Sequence, residues 1–487
     1  MSRCPHCRAA GPGGRPAARR RRCATRCTAG VEAGGRSSIV DYAVPVSRPS
    51  PPVAPPARPL AASLDAPATA AATSIGALLV GSALLRIGAV GATASIQFDL
   101  TDLAHGRPNN AIIGIVGGTQ AISEMAFALI LARFADRFGR RRFLIGGPLL
   151  GALALLLLAG ATSPAQLAAA RVIEGVGAAA FVPTALGTIA AATTEDSRSR
   201  ANASGAFEGA TVAGFAGGFV VGPFAYHWLH RGSFLVLATF YLAAAVVCWR
   251  LVPRVNPLPV SPLRVVARAI LGRGPIRTFI PAWLAVNGLV GAWLFNLAAL
   301  LKRSPDPSQT LIRHFDERVI GLMLLGWVVV LLVGITLWIP VLRRLGGPLT
   351  MRRAVPGVFV VAGGLFAINH LSLAAAPLLL PIVVVGIIIQ AGFGPAAVAY
   401  LADCSEDLAA DRSALMAFYT VTLAGGGALG SVVGGALARV FLFDGLVLMA
   451  LVLGVVAYAT LGSVIRYEAA RGNLGPPGRR LAQQPAE

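Results

Sequence analysis

The sequence predicts an all-α integral membrane protein with twelve transmembrane helices, arranged in two six-helix pseudo-symmetric halves around a central cavity. Three observations lead there. The 487 residues are 55% hydrophobic and only 13% charged, with a mean hydropathy of +0.70. From residue 75 onward, apolar runs recur, each long enough to cross a ~30 Å hydrocarbon core as a helix. A shift of 212 residues lays one stretch of the chain on another, as an internal duplication does. A soluble protein would need about a dozen helices apolar on every side, which ordinary globular composition does not supply.

The spans fall in order at 75–97, 110–132, 143–161, 167–191, 202–226, 233–252, 278–301, 319–342, 355–372, 375–402, 413–438 and 443–465. An even number puts both termini on one side. The loops on that side, 133–142, 192–200, 254–277, 343–353, 404–412 and the tail 466–487, hold 21 Lys and Arg. The opposite loops and span ends hold seven, four of them in 302–318. Basic loops stay in the cytoplasm, so both termini are expected there, in a multi-pass protein of the cell membrane. The net charge of +21 raises nucleic acid as a partner, but the arginines lie in tails and loops. They set topology, and no nucleic-acid partner is expected.

The 212-residue shift lays RANASGAFEGATVAGFAGGFVVGP (200–223) on RSALMAFYTVTLAGGGALGSVVGG (412–435), matching Gly214, Gly218 and Gly222 with Gly426, Gly430 and Gly434. It also pairs Ala179, Phe181 and Pro183 with Ala391, Phe393 and Pro395. The fifth span mirrors the eleventh and the fourth the tenth, so the two halves run in parallel orientation. The expected segments are a disordered Arg/Ala/Gly/Pro-rich tail (1–72), a first half (73–253), a basic linker (254–277), a second half (278–466) and a C-terminal tail (467–487).

The charged turn RFADRFGRRRFL, between the second and third spans, resembles the signature loop of the major facilitator superfamily: Asp136, Arg137, Gly139, Arg140 and Arg141 match, and Ala132 stands where glycine is usual. RVIEGVGAAAFVPTALGTIAA (171–191) is similar to that family's fourth helix. GFVVGP, ending at Pro223, resembles the Gly-x-x-x-Gly-Pro of the fifth helix in its drug/proton antiporter branch, although Tyr226 and His227 follow where that pattern continues to Gly-Gly. The resemblance covers residues 73 to about 466. It implies a secondary active transporter that moves a small organic solute by alternating access. Protons are the coupling partner, the proton gradient is the energy source, and no cofactor or metal is expected. The protein would be a monomer in the bilayer. It also implies that Asp136 sits against the start of the eleventh helix, here Asp411-Arg412-Ser413, as a latch between conformations. A carboxylate there gains ~0.3–1 kcal/mol from the helix dipole when exposed, and up to ~2 when partly buried. A basic turn that only fixes topology would explain Arg140 to Arg142 but not Asp136.

A charge at mid-bilayer costs ~2.5–3.5 kcal/mol on insertion scales. The first half carries Arg86, Glu124, Arg171, Glu174 and Glu208 at such depth, whereas the second offers only Asn287, Asn296, Asn369, His370 and Gln390. Of these, Asn287, Asn296 and Gln390 are candidates to line a substrate cavity. Arg171 and Glu174, three apart, share a helix face and read either as a structural pair or as a coupling or ligand site. Glu208 lies about two turns into its span with no basic residue within four positions. Desolvation favours the neutral form of a carboxyl group, as a proton carrier requires. The alternative is a glutamate hydrogen-bonded to a neighbouring helix. Glu124 reads the same way, and Arg86 reads as a counter-charge to one of these carboxylates.

Glycines four apart in the fifth and eleventh spans form strips against which another helix lies close, and each strip is also a candidate sliding seam. In the tail, Cys4, Cys7, Cys23 and Cys27 approach a zinc ribbon's spacing, but almost nothing apolar lies between them to pack. Disorder is the expected state there, unless the true start lies further on, at a valine such as Val31.

A membrane enzyme would need a nucleophile with its base or a metal cluster, and the six histidines, at 6, 105, 227, 230, 314 and 370, are scattered. A transporter-like receptor or scaffold would show no substrate-driven flux. Within transport, the expectation is proton-coupled efflux of a hydrophobic or amphipathic compound. Proton-coupled uptake of a metabolite is the alternative.

Overall fold

Lipid offers the backbone no hydrogen-bonding partner, so each apolar run closes its own hydrogen bonds as a helix. The structure is a computed structural model and describes residues 68–192, 197–253, 272–371, 376–404 and 412–472. The N-terminal cysteines, most of the 254–277 linker and most of the C-terminal tail lie outside them.

Among the described residues the first half comprises α1 (Ala68–Leu103), α2 (Asn110–Phe138), α3 (Arg140–Gly160), α4 (Pro164–Ala192), α5 (Ser197–Leu229) and α6 (Ser233–Leu251). The second comprises α7 (Gly274–Lys302), α8 (Glu317–Leu345), α9 (Gly347–Ala354), α10 (Pro356–His370), α11 (Ala376–Gln390), α12 (Phe393–Asp403), α13 (Arg412–Phe441) and α14 (Phe443–Ala470). Among the described residues eleven stretches are long and apolar enough to cross a membrane, and one of them, Gly205–Leu251, runs for 47 residues. It holds most of α5 and all of α6, broken by the 3-10 turn His230–Gly232. Gly214, Gly218 and Gly222 of α5 meet α1 at Ala83, Val90 and Gly91, in the same chain order. Cys248, Tyr241 and Leu237 of α6 meet Gly81, Gly88 and Gly91 in the reverse order. The two helices are therefore antiparallel, and the crossings among the described residues number twelve, as the sequence predicts. The ninth crossing joins α9 to α10 at Val355. The tenth breaks between α11 and α12 at Ala391 and Gly392, just ahead of Pro395, which has no backbone donor to return to that turn.

The halves repeat one another in detail. Single residues at positive φ, Gly139 (φ 99) and Gly346 (φ 77), turn α2 into α3 and α8 into α9. A side chain would strain both turns. The glycine strip of α5 packs on α1, and that of α13 packs on α7, where a Cβ on Gly430 would strike the Gly288 carbonyl. Both strips thus serve packing inside a half. The contact between halves uses other small residues: Gly114 and Gly118 of α2 against Ser431, Gly435 and Val432 of α13, and Gly321 of α8 against Phe219 and Pro223 of α5.

These inter-half contacts lie toward the end of the bundle remote from Ala68 and Ala470, called here the far end; the other is the terminal end. One buried core joins Val90, Phe98, Phe219 and Tyr226 of the first half to Leu289, Ile320, Leu324 and Phe443 of the second at the far end. Nearer the terminal end, Phe279, Trp283, Phe393, Tyr400 and Leu461 form a core belonging to the second half alone.

Candidate functional site

The sequence-predicted charges of α4 gather their partners from three other helices. Arg171 and Glu174 are both 0% exposed, with Arg171 Nη1 2.6 Å from Glu174 Oε2. Arg171 Nη2 donates to Gln120 Oε1 of α2 at 3.0 Å and to Thr93 Oγ1 of α1 at 3.2 Å. The Tyr241 hydroxyl of α6 donates to Glu174 Oε1 at 2.9 Å. Gln120 Nε2 then points to Glu124 Oε2, 3.4 Å away and one helical turn on. Burying an ion pair stabilises a protein only if its remaining polar sites find partners, and this network supplies them for both terminal nitrogens of Arg171 and both oxygens of Glu174, leaving Arg171 Nε without one among the described residues.

Small residues make the approach possible. A Cβ on Gly175 would lie 2.8 Å from the Ser123 Cβ and would meet the Gln120 carbonyl, so glycine is what lets α4 close on α2. The Tyr241 ring is wedged beside Gly88, where a Cβ would stand 2.6 Å from it. Thr93, Gln120 and Tyr241 escape a search for charges. Their only sequence signal is a polar group within an apolar run.

Arg86 is not hydrogen-bonded to a carboxylate: its guanidinium lies over the Phe215 ring, 5.8 Å from the centroid, and its Nε has no hydrogen-bond partner. The expected counter-charge role thus finds no hydrogen-bonded carboxylate among the described residues. Glu208 is half-buried on α5, on the helical stripe that continues through Phe215, Phe219 and Tyr226 toward the second half.

In the charged loop, Asp136 Oδ1 accepts from Arg140 Nε at 2.7 Å, and Arg140 Nη1 donates to the Gly187 carbonyl of α4 at 2.9 Å. Arg141 donates to the Trp249 carbonyl in the last turn of α6, where a cation suits the helix dipole. Arg137 lies over the Phe138 ring. The side chains at the start of α13, which would complete the expected latch, lie outside the described residues.

Of the cavity candidates in the second half, Asn287 gives its amide to the Trp283 carbonyl at 2.8 Å. Gln390 closes α11 at the break in the tenth crossing. Asn296 is 1% exposed and donates to the Ala292 and Ser431 carbonyls, so it packs a helix crossing and presents no open face to a ligand.

Paired six-helix halves with this loop and this buried arginine–glutamate pair match a known scaffold. A family model described as Major Facilitator Superfamily matches residues 78–403. The chain belongs to the major facilitator superfamily. That superfamily is one of membrane transporters rather than of enzymes. Within it the chain is 31% identical over 222 residues to the cephamycin export protein CmcT of Amycolatopsis lactamdurans, covering 42% of this chain and 44% of that one. It is 28% identical over 138 residues to multidrug resistance protein 2 of Bacillus subtilis strain 168, covering 28% and 32%. The matched segments thus span less than half the length of these relatives. Among solved structures, the nucleoside transporter NupG superposes with a TM-score of 0.60 at 14% identity, over 80% of this chain and 98% of that one. That likeness concerns the fold alone.

Proposed function

We propose that this superfamily member exports hydrophobic or amphipathic small molecules in exchange for protons by alternating access, with the terminal end in the cytoplasm. The observation that carries the reading is the Arg171–Glu174 pair, fully buried and linked through Gln120 to Glu124, in a bundle whose second half lines its interior with apolar and aromatic side chains. A membrane span retains such charges at a cost, and in transporters they mark ion pathways. A charge-poor second half suits a bulky organic ligand. The export named for CmcT supports the direction.

Glu124, Glu174 and Glu208 are the proposed proton-binding groups, with Arg171 as the fixed counter-charge. The joined far end is the shut outer side of a transporter open to the cytoplasm. Asp136, with Arg140, is the loop that engages α13 when the cytoplasmic side shuts.

The test is flux of a small-compound panel into inverted vesicles driven by a proton gradient. Accumulation that collapses with the gradient supports export, whereas movement only in the opposite direction supports proton-coupled uptake. Orientation is tested by an impermeant thiol reagent on single cysteines at Ser308 and Pro257. Labelling from opposite faces, Ser308 from outside, is expected; labelling from the same face overturns the topology.

A further inference from the structure

Lys302 is the only lysine in the sequence, against 41 arginines. It ends α7 at the far end and is 3% exposed. Its Nζ lies 2.6 Å from Asp102 Oδ2 at the end of α1, in the other half, and 2.7 Å from Glu317 Oε1 at the start of α8. The rings of Phe98 and Tyr226, both in the first half, flank the same ammonium at 5.4 and 4.8 Å from their centroids. The Tyr226 hydroxyl donates to Asp102 Oδ2 at 2.9 Å.

A second link runs beside it. His227 Nδ1 of α5 stands 3.1 Å from Glu317 Oε2 and 3.2 Å from Asp316 Oδ2. Arg318 takes the other oxygen of Asp316 at 3.0 Å, and its guanidinium holds that carboxyl below the usual carboxylate range. Asp99 is occupied by Arg231 at 2.8 Å. Three pairs of the cluster therefore cross between the halves, Lys302–Asp102, His227–Glu317 and His227–Asp316, and Glu317 also holds Lys302 within its own half.

The choice of lysine in an arginine-rich chain has a geometric reason. A guanidinium spreads its donors in one plane as a fork. At this position two carboxylates from different helices converge on one nitrogen, and two aromatic rings occupy the flanking space. A compact ammonium with three donors on a flexible stem meets that demand.

We propose that Lys302 is the pin of the outer gate: its ammonium, shared by Asp102 and Glu317, holds the far end shut and must leave Asp102 for that end to open. Opening exposes the only side-chain amine in the protein, so Lys302 is also a site of conformation-dependent acylation. The inference rests on the transport reading for its purpose, and on the proposed topology only for which face the reagent reaches.

The full-length protein in cells and in inverted vesicles is treated with an impermeant N-hydroxysulfosuccinimide ester. The neutral amine attacks the ester carbonyl and forms an amide, releasing the N-hydroxysulfosuccinimide oxyanion and, from the amine nitrogen, a proton to the buffer. Peptide mass spectrometry reads Lys302 apart from the N-terminal amine. Arg313→Lys, on an exposed loop position beside the gate, sets the rate for an unprotected amine and reports the accessible face.

Lys302 should react at least about tenfold more slowly than the amine of Arg313→Lys, and Asp102→Asn or Glu317→Gln should close most of that gap by shifting the population toward the open gate. Lys302→Arg should slow transport while leaving the protein folded. Acylation of wild-type Lys302 at the control rate overturns the pin, as does an unchanged slow rate in both folded carboxylate variants. If the Arg313→Lys amine reacts only from the cytoplasmic face, the topology is wrong, and the ratio of rates still decides the pin.

Discussion

In the first half, Gly214, Gly218 and Gly222 of α5 press against α1; in the second, Gly426, Gly430 and Gly434 of α13 press against α7 in the same manner. The interiors differ. Where the first half holds Arg171, Glu174, Gln120, Thr93 and Tyr241 in one hydrogen-bonded group, the second packs Phe279, Trp283, Phe393 and Tyr400. Its own buried tyrosine–carboxylate contact, Tyr400 to Glu468 at 2.7 Å, has no ion pair among the described residues. Close backbone packing holds each half together, so both copies keep it. On the proposed proton-exchange reading, proton chemistry is needed once, and a second set of buried charges would cost stability without adding coupling.

The largest test of this asymmetry is Arg171→Leu. Leaving Glu174 as an uncompensated buried charge should cost about 3–5 kcal/mol in thermal unfolding and abolish gradient-driven transport. Adding Glu174→Leu should restore stability without restoring uphill flux. Asn287→Leu in the second half should stay within about twofold of wild-type transport, because only one neutral hydrogen bond is lost. Equal losses in both halves would remove the asymmetry.

Glu208→Gln sharpens it next. If this glutamate carries a proton, accumulation against a gradient should fail while downhill exchange survives, since size and hydrogen bonding are kept. Full uphill transport in the variant would return Glu208 to a structural role and leave coupling to Glu124 and the Arg171–Glu174 pair.

Packing is tested by Gly218→Ala and Gly430→Ala, each expected to destabilise by about 1–3 kcal/mol because the new methyl group meets backbone. Thermal unfolding that shows one variant tolerated and the other not would break the equivalence of the halves.

The smallest effect is expected for Asp136→Asn, which removes the charge from a half-buried pair but keeps an oxygen to accept from Arg140, at a cost of about 1 kcal/mol. Expression should hold and transport should slow a few-fold, since a loop contact of that size shifts conformational populations modestly. The corresponding second-half turn at Gly346 carries Arg343 and Arg344 but no acid, so only one copy of the loop has the carboxylate. Wild-type transport rates across pH in Asp136→Asn would reduce the loop to a topology signal.

The 302–318 loop shows why part of the site was illegible. Counted along the chain, its four basic residues argue against an outside position. In space Lys302 is taken up by Asp102 and Glu317, and Arg318 by Asp316. The histidines, scattered in sequence, include His227 beside Glu317 and His370 beside Asp444.

By itself the sequence determined the twelve crossings, the duplicated halves, the reversal at Gly139 and the buried charges Arg171, Glu174 and Glu124. Each follows from a local rule: an apolar run of bilayer length must be helical, and a charge within it stands out. Only the tertiary structure decided that Thr93 and Gln120 accept from Arg171 while Tyr241 donates to Glu174, that the glycine strips pack within halves, and that Lys302 meets Asp102 across 200 residues of chain. A neutral polar residue costs little in a span, so it leaves no mark on hydropathy. Its partner depends on which helix faces cross, and that is fixed by packing across the whole bundle.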